Sequence, residues 1–172
     1  RAKEEGVSLI INIGSSLEGS RRSVELAAQY DCLYATVGVH PHEADTYESG
    51  IIPELKALAS KNKVLAIGEI GLDYFKNYSR QENQLRMFNE LLNLAKELNL
   101  PVVLHSRQAG EEIFRAMKKF MPIRGVMHCF SGDEAYLKTC LDLGLFVSFT
   151  CNITYKKAAS LRELVKLVPL ER

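Results

Sequence analysis

Strand-length apolar runs alternate with segments of helical spacing along all 172 residues. The runs are Val7–Gly14, Leu33–Val39, Val64–Gly68, Pro101–Leu104, Gly125–Met127 and Leu145–Phe149. Helices are expected over Ser15–Tyr30, Ile51–Lys61 with Pro53 in its first turn, Tyr78–Leu98, Glu111–Phe120, from a cap at Asp133 to Leu143, and over Ala158–Val168. Arg1–Gly6 reads as the tail of a helix capped by Gly6. Short connections between such alternating elements mean βα repeats around a parallel sheet, not an all-β fold or a helix bundle. The first run, nearly continuous in apolar residues, has the character of a strand buried on both faces. No linker, low-complexity segment or charge block interrupts the alternation, so residues 1–172 are expected to form one domain.

A parallel sheet of this kind is either an open doubly wound sheet or a barrel, and the polar residues that follow the runs arbitrate. Glu69 stands directly after Val64–Gly68, between Gly68 and Gly71. His105 ends the fourth run, His128 the fifth and His40 the second. In a barrel, strand ends surround one mouth, and residues far apart in sequence converge there. The expected fold is therefore α/β, a TIM-like (β/α) barrel, incomplete because six strands are fewer than the ~8 needed for closure.

One carboxylate and two imidazoles make a first shell for a borderline divalent ion, so Glu69, His105 and His128 are candidate metal ligands. Such an ion lowers the pKa of a bound water toward ~7 and polarises a carbonyl or phosphoryl oxygen. His40 is a candidate donor at the mouth, with His42 a weaker one across Pro41. Arg107, two residues beyond His105, offers a fork to phosphate or carboxylate. Asp73 either bonds a ligand histidine or caps the following loop. Cys129 is expected to point away from the metal side, on strand alternation. Ser106 and Ser131 lie in no nucleophile elbow, and no glycine-rich phosphate loop is present.

Composition excludes some classes. A net charge of +1 lacks the basic excess of a protein that coats nucleic acid, yet leaves room for an enzyme gripping a few phosphates. Cys32, Cys129, Cys140 and Cys151 contain no Cys-x-x-Cys pair, which argues against a zinc ribbon and for reduced thiols in a cytoplasmic protein. No membrane-length apolar run occurs.

Four segments, Val37–Ala44 (Val-Gly-Val-His-Pro-His-Glu-Ala), Ile67–Tyr74 (Ile-Gly-Glu-Ile-Gly-Leu-Asp-Tyr), Pro101–Arg107 (Pro-Val-Val-Leu-His-Ser-Arg) and His128–Gly132 (His-Cys-Phe-Ser-Gly), together resemble the TatD family of metal-dependent deoxyribonucleases. They occur in that family's order, and the resemblance covers essentially the whole chain. It implies a (β/α) barrel that hydrolyses phosphodiester bonds in DNA, as an exonuclease on single strands or 3′ ends, by metal-activated water. It implies Glu69, His105 and His128 as metal ligands, His40, Glu69 and Arg107 as catalytic residues, and zinc, magnesium or manganese as the ion, two of them in a complete site. The family's opening Asp-x-His-x-His and closing Glu-Thr-Asp motifs have no counterpart here. The resemblance therefore implies an internal piece lacking the first and last barrel strands, which alone would hold metal and activity poorly. Two other functions compete: an amidohydrolase-type enzyme cleaving a small amide or ester, and a non-catalytic module interacting through open sheet edges.

Overall fold

The computed structural model describes residues 1–172. The alternating pattern becomes six strands, β1 (Ile10–Asn12), β2 (Leu33–Val37), β3 (Val64–Asp73), β4 (Val102–Arg107), β5 (Gly125–Met127) and β6 (Phe146–Val147). Six helices separate and follow them: α1 (Leu17–Gln29), α2 (Ile52–Ala59), α3 (Gln81–Leu98), α4 (Gly110–Met117), α5 (Glu134–Asp142) and α6 (Ala159–Val165). All neighbouring strands are parallel and the sheet order is β1-β2-β3-β4-β5-β6. A doubly wound sheet reverses direction at a switch point; this order never reverses. The sheet is wound in the single sense of a TIM-like (β/α) barrel, with β1 and β6 as its two edges.

Local chemistry explains where the elements begin and end. Ser16 caps α1, its hydroxyl accepting the Gly19 N–H at 3.0 Å, and Asp133 caps α5 by accepting the Tyr136 N–H at 2.8 Å. Helix α3 stops at Asn99, which takes the left-handed conformation at φ 52°. The buried face of α3 carries Met87, Phe88, Leu91, Leu92 and Ala95, which join strand residues such as Ile67, Ile70 and Leu104 in one apolar core. A hydrophobic stripe at helical spacing meeting continuous apolar strands is what places this helix against the sheet.

Three expectations are corrected, and the ground of another is replaced. Arg1–Gly6 is a series of turns, with no helix for Gly6 to end. The first strand is three residues long and not buried on both faces: Leu9, Ile10 and Ile11 are exposed because β1 is an edge. Cys129 lies outside β5 with φ 51°, so strand alternation does not govern it; its thiol contacts the Thr150 hydroxyl at 2.9 Å. The last correction concerns the site. β3 does not end at Gly68 but runs on to Asp73, so Glu69 sits within the strand. The register with β4 slips between Ile67 and Ile70 and then resumes from Ile70↔Leu104 to Asp73↔Arg107. Glycine makes the resumed pairing possible: at Gly71 (φ +148°) an added Cβ would run into the carbonyl oxygen of His105.

Candidate metal centre

Strands β2 to β5 each deliver one side chain to the same end of the sheet: His40 just beyond β2, Glu69 in β3, His105 in β4 and His128 just beyond β5. The backbone beneath them is tied down from the edge inward. The Glu69 N–H donates to the Gly14 carbonyl at 2.6 Å, and the His40 N–H to the Ser15 carbonyl at 2.8 Å. The buried Thr36 hydroxyl accepts from the Gly14 N–H at 3.1 Å and donates to the Gly68 carbonyl at 2.6 Å. On the other side the His128 N–H donates to the Leu104 carbonyl at 2.9 Å. These ties set the backbone from which the four side chains project.

Ligating atoms of His40, Glu69 and His105 all lie within 4.8 Å of one another. Glu69 Oε1 is also 2.9 Å from Nδ1 of His128 and 3.6 Å from Nδ1 of His105. The His40 and His105 rings meet edge-on, with centroids 4.4 Å apart. His40, Glu69 and His105 therefore fall in one cluster, which His128 joins through Glu69. Arg107, at the end of β4, is the outlier. Its guanidinium lies over the ring of Phe75, 3.9 Å from the centroid, and is exposed at the rim.

Asp73 does both things considered for it. One oxygen, Oδ1, accepts the N–H groups of Phe75 (3.1 Å) and Lys76 (2.9 Å) and turns the chain after β3. The other, Oδ2, accepts from Nε2 of His42 at 2.9 Å and from Nε2 of His105 at 3.0 Å. The proton on Nε2 of His105 leaves the Nδ1 lone pair directed at the Glu69 side, the tautomer a metal-ligating imidazole needs. Gln84, fully buried on α3, completes the anchor. It accepts from the Asp73 N–H at 2.8 Å and donates to the carbonyls of Asp73 and Ser79 at 3.1 and 2.8 Å. Gln84 and Thr36 escape sequence reading; a glutamine on the apolar face of α3 was the available signal.

The donor set, one carboxylate with imidazoles in partial burial, suits a borderline divalent ion. Electrostatics accord with that. Burial opposes the charge on Glu69, but the neighbouring His105 and His128 imidazoles outweigh it and hold the carboxyl well below the usual range. Burial likewise opposes the charge on Asp73, yet the Lys76 N–H and the two imidazoles bring it down to about 2. The bond to Glu69 raises His128. Burial, reinforced by His105, depresses His40 to about 4, so His40 is neutral near pH 7.

The His40 shift makes a stability prediction. Between its ordinary 6.5 and about 4, the unfolded chain takes up a proton that the folded chain refuses. The His40 contribution is therefore present above pH 6.5 and lost as pH falls toward 4, whereas the His128 contribution is lost as pH rises through its raised pKa. In chelator, the melting temperature of the wild type should fall more steeply over this window than that of His40→Asn. Thermal melts that run parallel from pH 7 to 4 would contradict the assignment.

Comparison with known proteins bears on the chain as a whole. Residues 1–172 match the family described as TatD related DNase. The chain is 40% identical over 176 residues to the 3'-5' ssDNA/RNA exonuclease TatD of Erwinia tasmaniensis, covering all of this chain and 68% of that protein. It is 35% identical over 174 residues to the uncharacterized metal-dependent hydrolase YabD of Bacillus subtilis, again covering 100% and 68%. Its structure resembles that of YJJV, a TatD homologue from Escherichia coli K12, with a TM-score of 0.90 and 33% identity, covering 98% of this chain and 66% of that one. The chain thus spans about two thirds of the length of these relatives. A likeness extending over every residue, in a parallel barrel sheet with a carboxylate–imidazole cluster at its strand ends, places the chain in the TatD-related DNase family.

Proposed function

We propose that this chain is a divalent-metal-dependent nuclease that hydrolyses phosphodiester bonds in single-stranded DNA. The convergence of one carboxylate and three imidazoles from four consecutive strands supports it, in a family whose named relatives are exonucleases and metal-dependent hydrolases. Glu69, His105 and His128 would hold the ion, which would be zinc, manganese or magnesium. When bound, the ion supplies a Lewis acid for a phosphoryl oxygen and lowers the pKa of water.

The chain's own groups do the rest. Neutral His40, whose Nδ1 accepts the His42 N–H at 3.3 Å, keeps its proton on Nε2 and donates it to an oxygen of the substrate or of water. Arg107, stacked on Phe75 outside the cluster, offers its N–H groups to phosphates of the bound strand. Asp73 keeps the proton of His105 on Nε2 and so keeps Nδ1 available. A cytoplasmic setting fits the four free cysteines, and no helix is long and apolar enough to cross a membrane.

A 5′-labelled single-stranded oligonucleotide incubated with the full-length protein tests this reading. Shortening from the 3′ end that requires zinc, manganese or magnesium and stops with chelator is the expected result. No cleavage with any of the three ions would overturn it, and cleavage of small esters or amides alone would replace it with the amidohydrolase-type reading.

A further inference from the structure

Two aromatic rings on the loop that follows β3 are unusually open to solvent: Phe75 is 48% exposed and Tyr78 63%. Each is faced by a cation, Phe75 by the guanidinium of Arg107 and Tyr78 by the Lys76 ammonium, 5.7 Å from the ring centroid. Neither cation has a carboxylate within ion-pair distance, unlike Arg80 next along the loop, which pairs with Asp45 and Glu82. Burying these rings would have lowered the free energy of the fold, so their exposure is a feature to be explained.

The loop is not slack. Its first turn is closed by Asp73, and its two ends are held by the buried Gln84 through Asp73 and Ser79. The Ser79 hydroxyl donates to the His42 carbonyl at 2.7 Å. Tyr78 packs edge-on against His42 (4.7 Å), which packs against His40 (4.2 Å), and His40 against His105. A continuous line of rings therefore leads from the exposed loop into the carboxylate–imidazole cluster.

We infer that Phe75, with Arg107 layered on it, and Tyr78 form a stacking platform for the unpaired bases of a single strand whose phosphate enters the cluster. The inference rests on the nuclease reading and adds to it the residues that select single strands. Every base has a π face, but in a duplex those faces are already covered by neighbouring pairs, so only an unpaired strand can stack here. Lys76 and the edge of Arg107 then lie where the adjoining phosphates need cations.

The test uses a single-stranded oligonucleotide carrying 2-aminopurine near its 3′ end, bound in chelator so that nothing is cleaved. The wild type should quench the fluorophore, and Phe75→Leu/Tyr78→Leu should weaken binding about ten-fold and lose the quenching. Phe75→Trp should retain both, and metal titration of the double variant should match wild type, showing that the cluster is intact. If the double variant binds and quenches like wild type, or the wild type cleaves single strands without quenching, the platform is wrong and the nuclease reading survives. Quenching without metal-dependent cleavage would do the reverse.

Discussion

Glu69→Ala should leave a chain that neither retains a divalent ion nor cleaves single-stranded DNA, with the rate falling about 10³-fold or more, the size of loss seen when a principal charge-stabilising group is removed. Glu69 is the only carboxylate in contact with His128, at 2.9 Å, and with the Nδ1 side of His105, at 3.6 Å. Its depressed pKa shows that the surroundings favour the anion despite burial, which is the state a cation requires. Removing it leaves the imidazoles of His40, His105 and His128 with no anion among them. Glu69→Gln separates charge from volume: it preserves the shape and still lacks the anion, so it should lose the metal as Glu69→Ala does. Metal analysis after dialysis, beside the oligonucleotide assay, reads both. A Glu69→Ala protein with wild-type metal content and rate would remove Glu69 from the site.

How much of this was legible beforehand depends on what kind of signal each residue left. The alternation of apolar runs with helical spacing carried the fold class, because burial on both faces forces continuous apolar strands and one apolar stripe per helix. His40, His105 and His128 were legible because each follows such a run, where a parallel barrel brings strand ends together. Three things were not. The length of β3 was hidden because two glycines read as a terminus, whereas here they permit close approach of β4. The exposure of β1 was hidden because an edge strand and a central one can carry the same apolar run. The third was the layer behind the ligands. Asp73 was readable as a partner for a ligand histidine, but its bonds to His42, His105 and Gln84 span 11 to 32 positions of sequence, and no local pattern says which of them form. Arg107 lay between these cases, since its position at the mouth was readable but its stacking on Phe75 was not.

That hidden layer makes Asp73 the second residue whose loss should matter greatly, and for a reason that can be separated from simple damage. Its side chain is 1% exposed and accepts four hydrogen bonds, two from backbone and two from imidazoles. Asp73→Ala should cost about 3 kcal/mol of stability at neutral pH, since it strands buried donors. That stability comes from the ionised form. It is present above the ordinary carboxyl pKa of 3.8 and disappears as pH falls through about 2, so the mutant and wild type should converge in acid. Asp73→Asn is the sharper probe. Its carbonyl can still accept from Phe75 and Lys76, but its amide would then present donors to Nε2 of His42 and His105. To avoid opposing two donors, His105 must move its proton to Nδ1, the nitrogen that faces Glu69. The Asn variant should therefore fold yet bind the ion about 10- to 100-fold more weakly, and the imidazole nitrogen shifts of His105 should report the changed tautomer. An Asn variant with wild-type affinity and an Nε2–H tautomer would mean that Asp73 only ties the loop and leaves the ligand untouched.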